Sequence, residues 1–254
     1  MLSIDLSDKV AVVTGATGEL GREMVRALAE AGANVAVCYH QNETKAYELV
    51  EEVEDRGARG VVVQADVTDL DSILIMRDRV VEALGPVDII VNNAVVQYKW
   101  VHVLEQAPED YESQFRSSVL HNVFMAKAFV PAMIERKWGR VIGINTECAM
   151  QCWENQSAYD SGKRGMDGVL RVLAREAGPH GITVNQVAPG WTLSENRPEG
   201  HGEYEEDYRK HIPLQRRGTA REIANVVAFL ASDLASYISG AYIPVCGGNV
   251  MPAI

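Results

Sequence analysis

Seven short runs of Val, Ile and other apolar residues alternate with amphipathic stretches along this chain, and that rhythm restricts the fold more than any other feature. The runs fall at residues 10–14, 35–39, 61–65, 87–92, 141–145, 183–188 and 242–245. Each is too short for a helix and apolar almost throughout, the pattern of a parallel strand covered on both faces. Between them, apolar residues recur at helical spacing over 20–31, 43–56, 72–84, 111–136, 158–178 and 220–232. Strand–helix alternation of this kind predicts right-handed β-α-β crossovers. The expected fold is therefore α/β: a single doubly wound parallel sheet, Rossmann-like, of about seven strands with helices on both faces.

A length of 254 residues suits one large sheet, and no repeat, low-complexity segment or linker divides 1–254 into smaller domains. One segment, 191–218, breaks the rhythm. It is charged and marked by Gly and Pro, and its length predicts a loop that closes over a substrate. The content of 47% hydrophobic and 23% charged residues is ordinary for a chain that buries a full core. A formal net charge of -11 argues against a nucleic-acid partner. It leaves room for a phosphate-bearing cofactor held by backbone amides. The N-terminal residues lack the basic front and apolar core of a signal peptide, and no run approaches the roughly 18 apolar residues of a membrane span. Cys38, Cys148, Cys152 and Cys246 show neither a disulfide framework nor metal-ligand spacing. A reduced, cytoplasmic, metal-free protein with no membrane partner is expected.

The first strand runs directly into Thr14-Gly15-Ala16-Thr17-Gly18-Glu19-Leu20-Gly21 and then a helix. Glycines at 15, 18 and 21 permit a tight turn, close backbone approach to a pyrophosphate and close helix–strand packing. The positive end of the following helix dipole faces the same place. Glu19 is expected to point to solvent, where an acid in the first helical turn is favourable. Further along, Tyr159 and Lys163 stand one turn apart on one face of a helical pattern. A free phenol, with a pKa of about 10, is a poor acid or base near neutrality. A fixed ammonium nearby favours the phenolate, and a phenol tuned in that way exchanges a proton with an alkoxide or alcohol oxygen.

These motifs resemble the short-chain dehydrogenase/reductase family over almost the whole chain, with members of the 3-oxoacyl-reductase and glucose-dehydrogenase kind as the nearest likeness. The family turn T-G-x-x-x-G-x-G is matched at Thr14, Gly15 and Gly21, with Glu19 in place of its middle glycine and Gly18 one step earlier. Asn92-Asn93-Ala94 resembles N-N-A-G, with Val95 in place of the glycine, and residues 184–190 resemble V-N-x-x-x-P-G. Thr146, thirteen residues before Tyr159, stands where the family keeps a serine. The resemblance implies an NAD(P)-dependent oxidoreductase that moves a hydride between a nicotinamide cofactor and a carbonyl or secondary alcohol. It assigns proton transfer to Tyr159, ribose anchoring and tuning to Lys163, and the substrate oxygen to Thr146. It places Gly15, Thr17, Gly18, Leu20 and Gly21 along the cofactor, with Tyr39, His40, Asp66 and Val67 at its adenosine end. Asn92, Ala94, Pro189, Gly190 and Thr192 fall beside the remainder. The second strand ends at Tyr39-His40 without a carboxylate to repel a 2′-phosphate, so NADP(H) is favoured over NAD(H).

One departure falls beneath the site. The family's relay asparagine, which anchors a water on the way to the lysine, is replaced by Val119. Asn122 would substitute if the helix bulges there, and Ser118 offers another route. With Glu19 and Val95, this change keeps open a weakened dinucleotide-binding sensor or scaffold, and more remotely a non-redox lyase or epimerase. The substrate pocket is expected from 95–102, 147–156 and 191–212, which carry Trp100, Trp153 and Trp191. Three indoles at one mouth suit a flat ring, a lipid-like chain or a sugar face. Glu147, beside Thr146, either binds a polar substrate group or points to solvent. The long helices over 111–136 and 158–178 imply, through the resemblance, a homo-tetramer or dimer.

Overall fold

The computed structural model describes residues 3–193 and 202–252. The apolar runs become strands β1 (Val10–Val13), β2 (Asn34–Tyr39), β3 (Gly60–Gln64), β4 (Ile89–Asn92), β5 (Gly139–Ile144), β6 (Ile182–Pro189) and β7 (Tyr242–Val245). They pair in parallel as one seven-stranded sheet in the order β3-β2-β1-β4-β5-β6-β7. The crossovers carry helices α1 (Glu19–Glu30), α2 (Glu43–Glu54), α3 (Leu70–Leu84), α4 (Pro108–Gln114), α5 (His121–Arg136), α6 (Cys148–Gln151), α7 (Ser157–Ala177), α8 (Glu203–His211) and α9 (Ala220–Ala231). The doubly wound fold read from the sequence is the fold observed.

Alternate side chains of each strand enter opposite core layers, as the pleat requires. Ala11 and Val13 pack with Met24 and Leu28 of α1 and with Ile223 and Val227 of α9. Val10 and Val12 pack with Ile73 and Met76 of α3, Met125 and Met133 of α5, and Met166 and Leu170 of α7. Helix starts are fixed by local chemistry. The Asp69 side chain caps α3, and Thr219 with Glu222 forms a reciprocal capping box on α9.

Strand order reverses between β1 and β4, which opens a crevice beyond their carboxyl ends. Thr14 ties the two together there. Its amide donates to the Val91 carbonyl at 3.1 Å, and its Oγ1 accepts from the amides of Asn93 and Ala94 at 3.0 and 3.2 Å.

Two segments differ from the sequence expectation. The helix expected over 111–136 begins at Pro108 and widens into a π-helical turn at Phe115–Leu120 before α5. The continuous stretch Pro108–Arg136 is long and apolar enough to cross a membrane by length and composition alone, but 56% of its apolar window is buried inside the fold. The expected loop 191–218 contains α8, whose last turn carries Arg209, Lys210 and His211 near the negative end of the helix dipole. Residues 194–201 of that loop lie outside the described residues.

Met125 is fully buried in the layer between sheet and helices. Met125→Ala should therefore lower stability by about 2–5 kcal/mol, read as a shifted urea midpoint with an unchanged slope. A loss well under 1 kcal/mol would contradict this packing.

Candidate active site

The glycine-rich turn is shaped by contacts that leave no room for side chains. Gly15 has φ +60°, and a Cβ there would lie 2.9 Å from the Ala94 Cα. A Cβ on Gly21 would run into the backbone of Gly15 and Ala16, so this glycine lets α1 sit directly on the turn. The first turn of α1 thus faces a cavity of about 570 Å³, which extends from His40, Gln41 and Asn42 at the end of β2 to Thr146, Tyr159 and Lys163. A crevice with close backbone, a helix N-terminus at its centre and no side chain from Gly15 or Gly18 fits an extended dinucleotide. Glu19, the first residue of α1, lines this cavity, contrary to the expectation that it turns away. It adds negative charge to the cradle.

Three side chains converge at the other end. Thr146 follows β5 and is buried, with its Oγ1 accepting from the Cys148 amide at 3.2 Å. Tyr159 and Lys163 come from the first turns of α7, as their spacing requires. The Tyr159 amide donates to the Tyr98 hydroxyl at 2.8 Å, which fixes the start of that helix. Lys163 is buried, donates from Nζ to the Ile144 carbonyl at 2.6 Å, and lies 5.7 Å from the centre of the Tyr159 ring. Trp100 stacks over the same ring with centroids 5.8 Å apart.

Burial and the neighbouring Cys148 push the Tyr159 phenol up, while a hydrogen bond with the Thr146 side chain pulls it back in part. Burial also pushes the Lys163 ammonium down to about 8. The sequence expectation of a phenol made acidic by its lysine is therefore not what this geometry gives. The ammonium is engaged by the Ile144 carbonyl, and burial is the largest influence on the phenol. At neutral pH the tyrosine stands ready as a proton donor.

A second cavity, of about 540 Å³, opens on the far side of the same groups. Thr146, Tyr159 and Gly190 line both cavities, so the two meet at the hydroxyls. Trp100, Trp153 and Trp191 all line the second one, together with Tyr204 and Tyr208 of α8. Glu147 neither faces solvent nor is left to a substrate. It is buried, with Oε1 accepting from the Tyr208 hydroxyl at 2.6 Å and Oε2 from the Asn249 amide at 3.1 Å. Burial pushes its carboxyl above the ordinary range, against those hydrogen bonds. Tyr208 also accepts from the Trp191 amide at 2.7 Å, so one hydroxyl fastens α8 over the pocket.

Beneath Lys163 lies a buried polar layer made by the π-helical turn. Val119 packs toward α7, where a Cβ on Gly165 would meet its Cγ2 at 2.8 Å. The extra residue in the turn brings Asn122 inward, as the bulge considered from the sequence requires. Asn122 donates to the Ser118 carbonyl at 2.6 Å and accepts from Asn92 at 2.7 Å. Burial, with the Lys163 charge, pushes His121 down to about 3, so its imidazole is neutral. Its Nδ1 donates to the Ser117 carbonyl at 3.2 Å, which leaves Nε2 as an acceptor. That nitrogen, the hydroxyls of Ser117 and Ser118, and the Asn92 Oδ1 are all buried without a hydrogen-bond partner.

Of the residues singled out from the sequence, Gly15, Thr17, Gly18, Leu20, His40 and Ala94 line the cradle, as do Thr146, Tyr159, Lys163, Pro189 and Gly190. The others lie off its wall. Gly21 packs α1, Tyr39 donates to Glu43 at 3.0 Å, and Val67 joins the core. Asp66 accepts from the Thr68 amide and hydroxyl at 2.8 and 2.7 Å, a turn-forming role. Asn92 turns toward Asn122, and Thr192 bridges to Gly218. Sequence reasoning missed Asn145, His121, Tyr208 and Tyr242, whose hydroxyl donates to the Thr146 carbonyl. Only Asn145, next to Thr146, carried a local signal. Among the described residues, no group of three His, Cys, Asp or Glu side chains could hold a metal ion.

Known proteins share this arrangement. Residues 15–249 match a family profile described as enoyl-(acyl carrier protein) reductase. The chain is 38% identical over 245 residues to the 3-oxoacyl-[acyl-carrier-protein] reductase FabG of Staphylococcus aureus, covering 96% of this chain and 98% of the relative. It is 34% identical over 249 residues to the FabG of Pseudomonas aeruginosa, covering 98% and 100%. A crystal structure of a short-chain alcohol dehydrogenase from Sinorhizobium meliloti superposes with a TM-score of 0.90 at 30% identity, over 98% of each chain. A blue fluorescent protein from a metagenomic library, solved with NADPH, superposes with a TM-score of 0.90 at 32% identity, over 97% of this chain and 100% of that one. Fold, turn, site geometry and relatives agree: the chain is an NAD(P)-dependent oxidoreductase and belongs to the short-chain dehydrogenase/reductase family.

Proposed function

We propose that the chain reduces a carbonyl compound with NADPH, with Tyr159 as proton donor, Thr146 holding the substrate oxygen and Lys163 supporting Tyr159. The observation that carries this reading is the meeting of the two cavities at Thr146, Tyr159 and Gly190. The first would hold a dinucleotide along Gly15, Gly18 and Leu20, whose chemistry when bound would be hydride donation, and the second would hold the carbonyl substrate. Thr146 Oγ1 and the Tyr159 hydroxyl are the two donors facing that oxygen. As negative charge develops on the oxygen, the phenolic proton moves to it, and Lys163 Nζ, 5.7 Å from the ring centre, offsets the phenolate left behind. The neutral phenol favoured by burial is the form that reduction consumes. Asn122, Ser118 and the neutral His121 line a route by which the lysine regains a proton in place of the family's relay asparagine.

NADP(H) is supported by the end of β2, where His40 lines the cavity and the next acid along the chain, Glu43, accepts from the Tyr39 hydroxyl. The NADPH-bound neighbour at 32% identity points the same way. Exposed Phe115 and Val172, on the π-helical turn and α7, support subunit pairing across these helices into a homo-tetramer or dimer. A cytoplasmic setting accords with four free cysteines.

Tyr159→Phe separates an enzyme from a binding protein of the same fold. It should lower kcat by about a hundredfold or more while fluorescence titration gives an NADPH affinity within about twofold of the parent. Unchanged turnover would remove Tyr159 from the reaction; failure of the parent to bind NADPH or NADH would remove the oxidoreductase reading. The pH profile tests Lys163. Its pKa is depressed, so it is charged below about 8 and neutral above. Consequently kcat/KM for reduction should fall as pH rises through about 8, and a flat profile from pH 7 to 9.5 would contradict its role.

A further inference from the structure

We infer that the substrate is a compact ketone borne on or beside a flat ring, uncharged or cationic, and that a carboxylate at its far end is rejected. This deepens the oxidoreductase reading and rests on it. The second cavity is walled by indoles from three separate segments, with Trp100 stacked on Tyr159 at one side and Trp191 edge-on to Tyr208, 5.2 Å between centroids, at the other. Trp153 and Tyr204 stand at the mouth, 54% and 84% exposed. Ring faces are negative at their centres, so they attract cations and CH edges and repel anions.

The charges facing the cavity have the same sign. Glu147 and Asp207 line it, and among the described residues no Lys or Arg does. Arg217 stacks on Trp191 at 4.1 Å, but it is 3% exposed and is spent on Glu205 at 3.1 Å and on the Trp191 and Thr192 carbonyls. Its charge is therefore committed to holding α8 against the loop. Nor is Glu147 free to leave, since Tyr208 and Asn249 hold both its oxygens. An anionic group entering here would meet two carboxylates and several ring faces, with no counter-charge among the described residues. A ring ketone instead places its carbonyl at Thr146 and Tyr159 while its faces rest between indoles. The volume of about 540 Å³ suits one or two rings.

The test uses three ketones of one scaffold: 4-methylacetophenone, its 4-trimethylammonio analogue and 4-acetylbenzoate, with acetoacetyl-coenzyme A as a ring-free thioester. Binding is read by tryptophan quenching, because three of the four tryptophans line the pocket and Trp138 lies elsewhere, under Lys9 and Arg140. Turnover is read by NADPH oxidation. The neutral and cationic ketones should bind and react at least about tenfold better than the carboxylate. Asp207→Asn should narrow the cation-to-anion ratio by about threefold, the scale of one solvent-exposed charge. Trp153→Leu should raise KM for the ring ketones with NADPH affinity unchanged. Equal handling of the carboxylate, or a preference for the thioester, overturns the inference and leaves the oxidoreductase reading standing. If no carbonyl is reduced, that reading fails, and quenching by the three ketones still decides the charge preference of the pocket.

Discussion

Thr146 comes from just past the end of β5 and Tyr159 and Lys163 from a helix, and the Asn145 side chain joins the two. Its Oδ1 accepts from the Thr146 amide at 2.9 Å; its Nδ2 donates to the Lys163 carbonyl at 3.1 Å and to Gln186 Oε1 at 2.7 Å. One buried carboxamide thereby fixes the end of β5 to α7 and to β6. The Lys163 ammonium closes the same frame by reaching back to Ile144. The proposed proton transfer needs hydroxyls held to within fractions of an ångström. A strand end and a helix start, pinned by a satisfied buried amide, supply that rigidity without a metal or a disulfide among the described residues.

The same region departs from the usual economy of buried polar groups. Buried polar atoms ordinarily have a partner, and Asn92, Ser117, Ser118 and His121 each present one without a protein partner in the layer beneath the lysine. The π-helical turn creates this layer by rotating Asn122 and His121 inward, and such turns recur at functional sites. On the proposed reading, this polar layer serves proton delivery to the lysine where Val119 cannot.

The strands and long helices were legible because short, nearly continuous Val and Ile runs and apolar residues at helical spacing are local signals. So were Gly15 and Tyr159-x-x-x-Lys163, whose geometry follows from a few neighbouring residues. What was hidden depends on distance in the chain. Glu147 and Tyr208 are 61 residues apart, and nothing near either one foretells their hydrogen bond. His121 was obscured, and Asn122 was legible only as an alternative, because the widened turn shifts the 3.6-residue register by one position. The direction of the Tyr159 shift could not be read from its lysine alone, since it is set by burial among Trp100, Cys148 and the sheet. Helix α8 is short and polar, and its fastening to Glu147 and Arg217 outweighs the Gly- and Pro-rich loop pattern around it.

The central claim is that the dinucleotide cavity and the aromatic cavity meet at Thr146 and Tyr159, so that a hydride passes directly between their occupants. Reduction of a ring ketone with NADPH deuterated at C4 tests this most directly. The account predicts that deuterium from only one of the two C4 faces appears on the product carbinol carbon, with a primary isotope effect on kcat/KM. Deuterium arriving at that carbon from heavy-water solvent, or equally from both C4 faces, would contradict it.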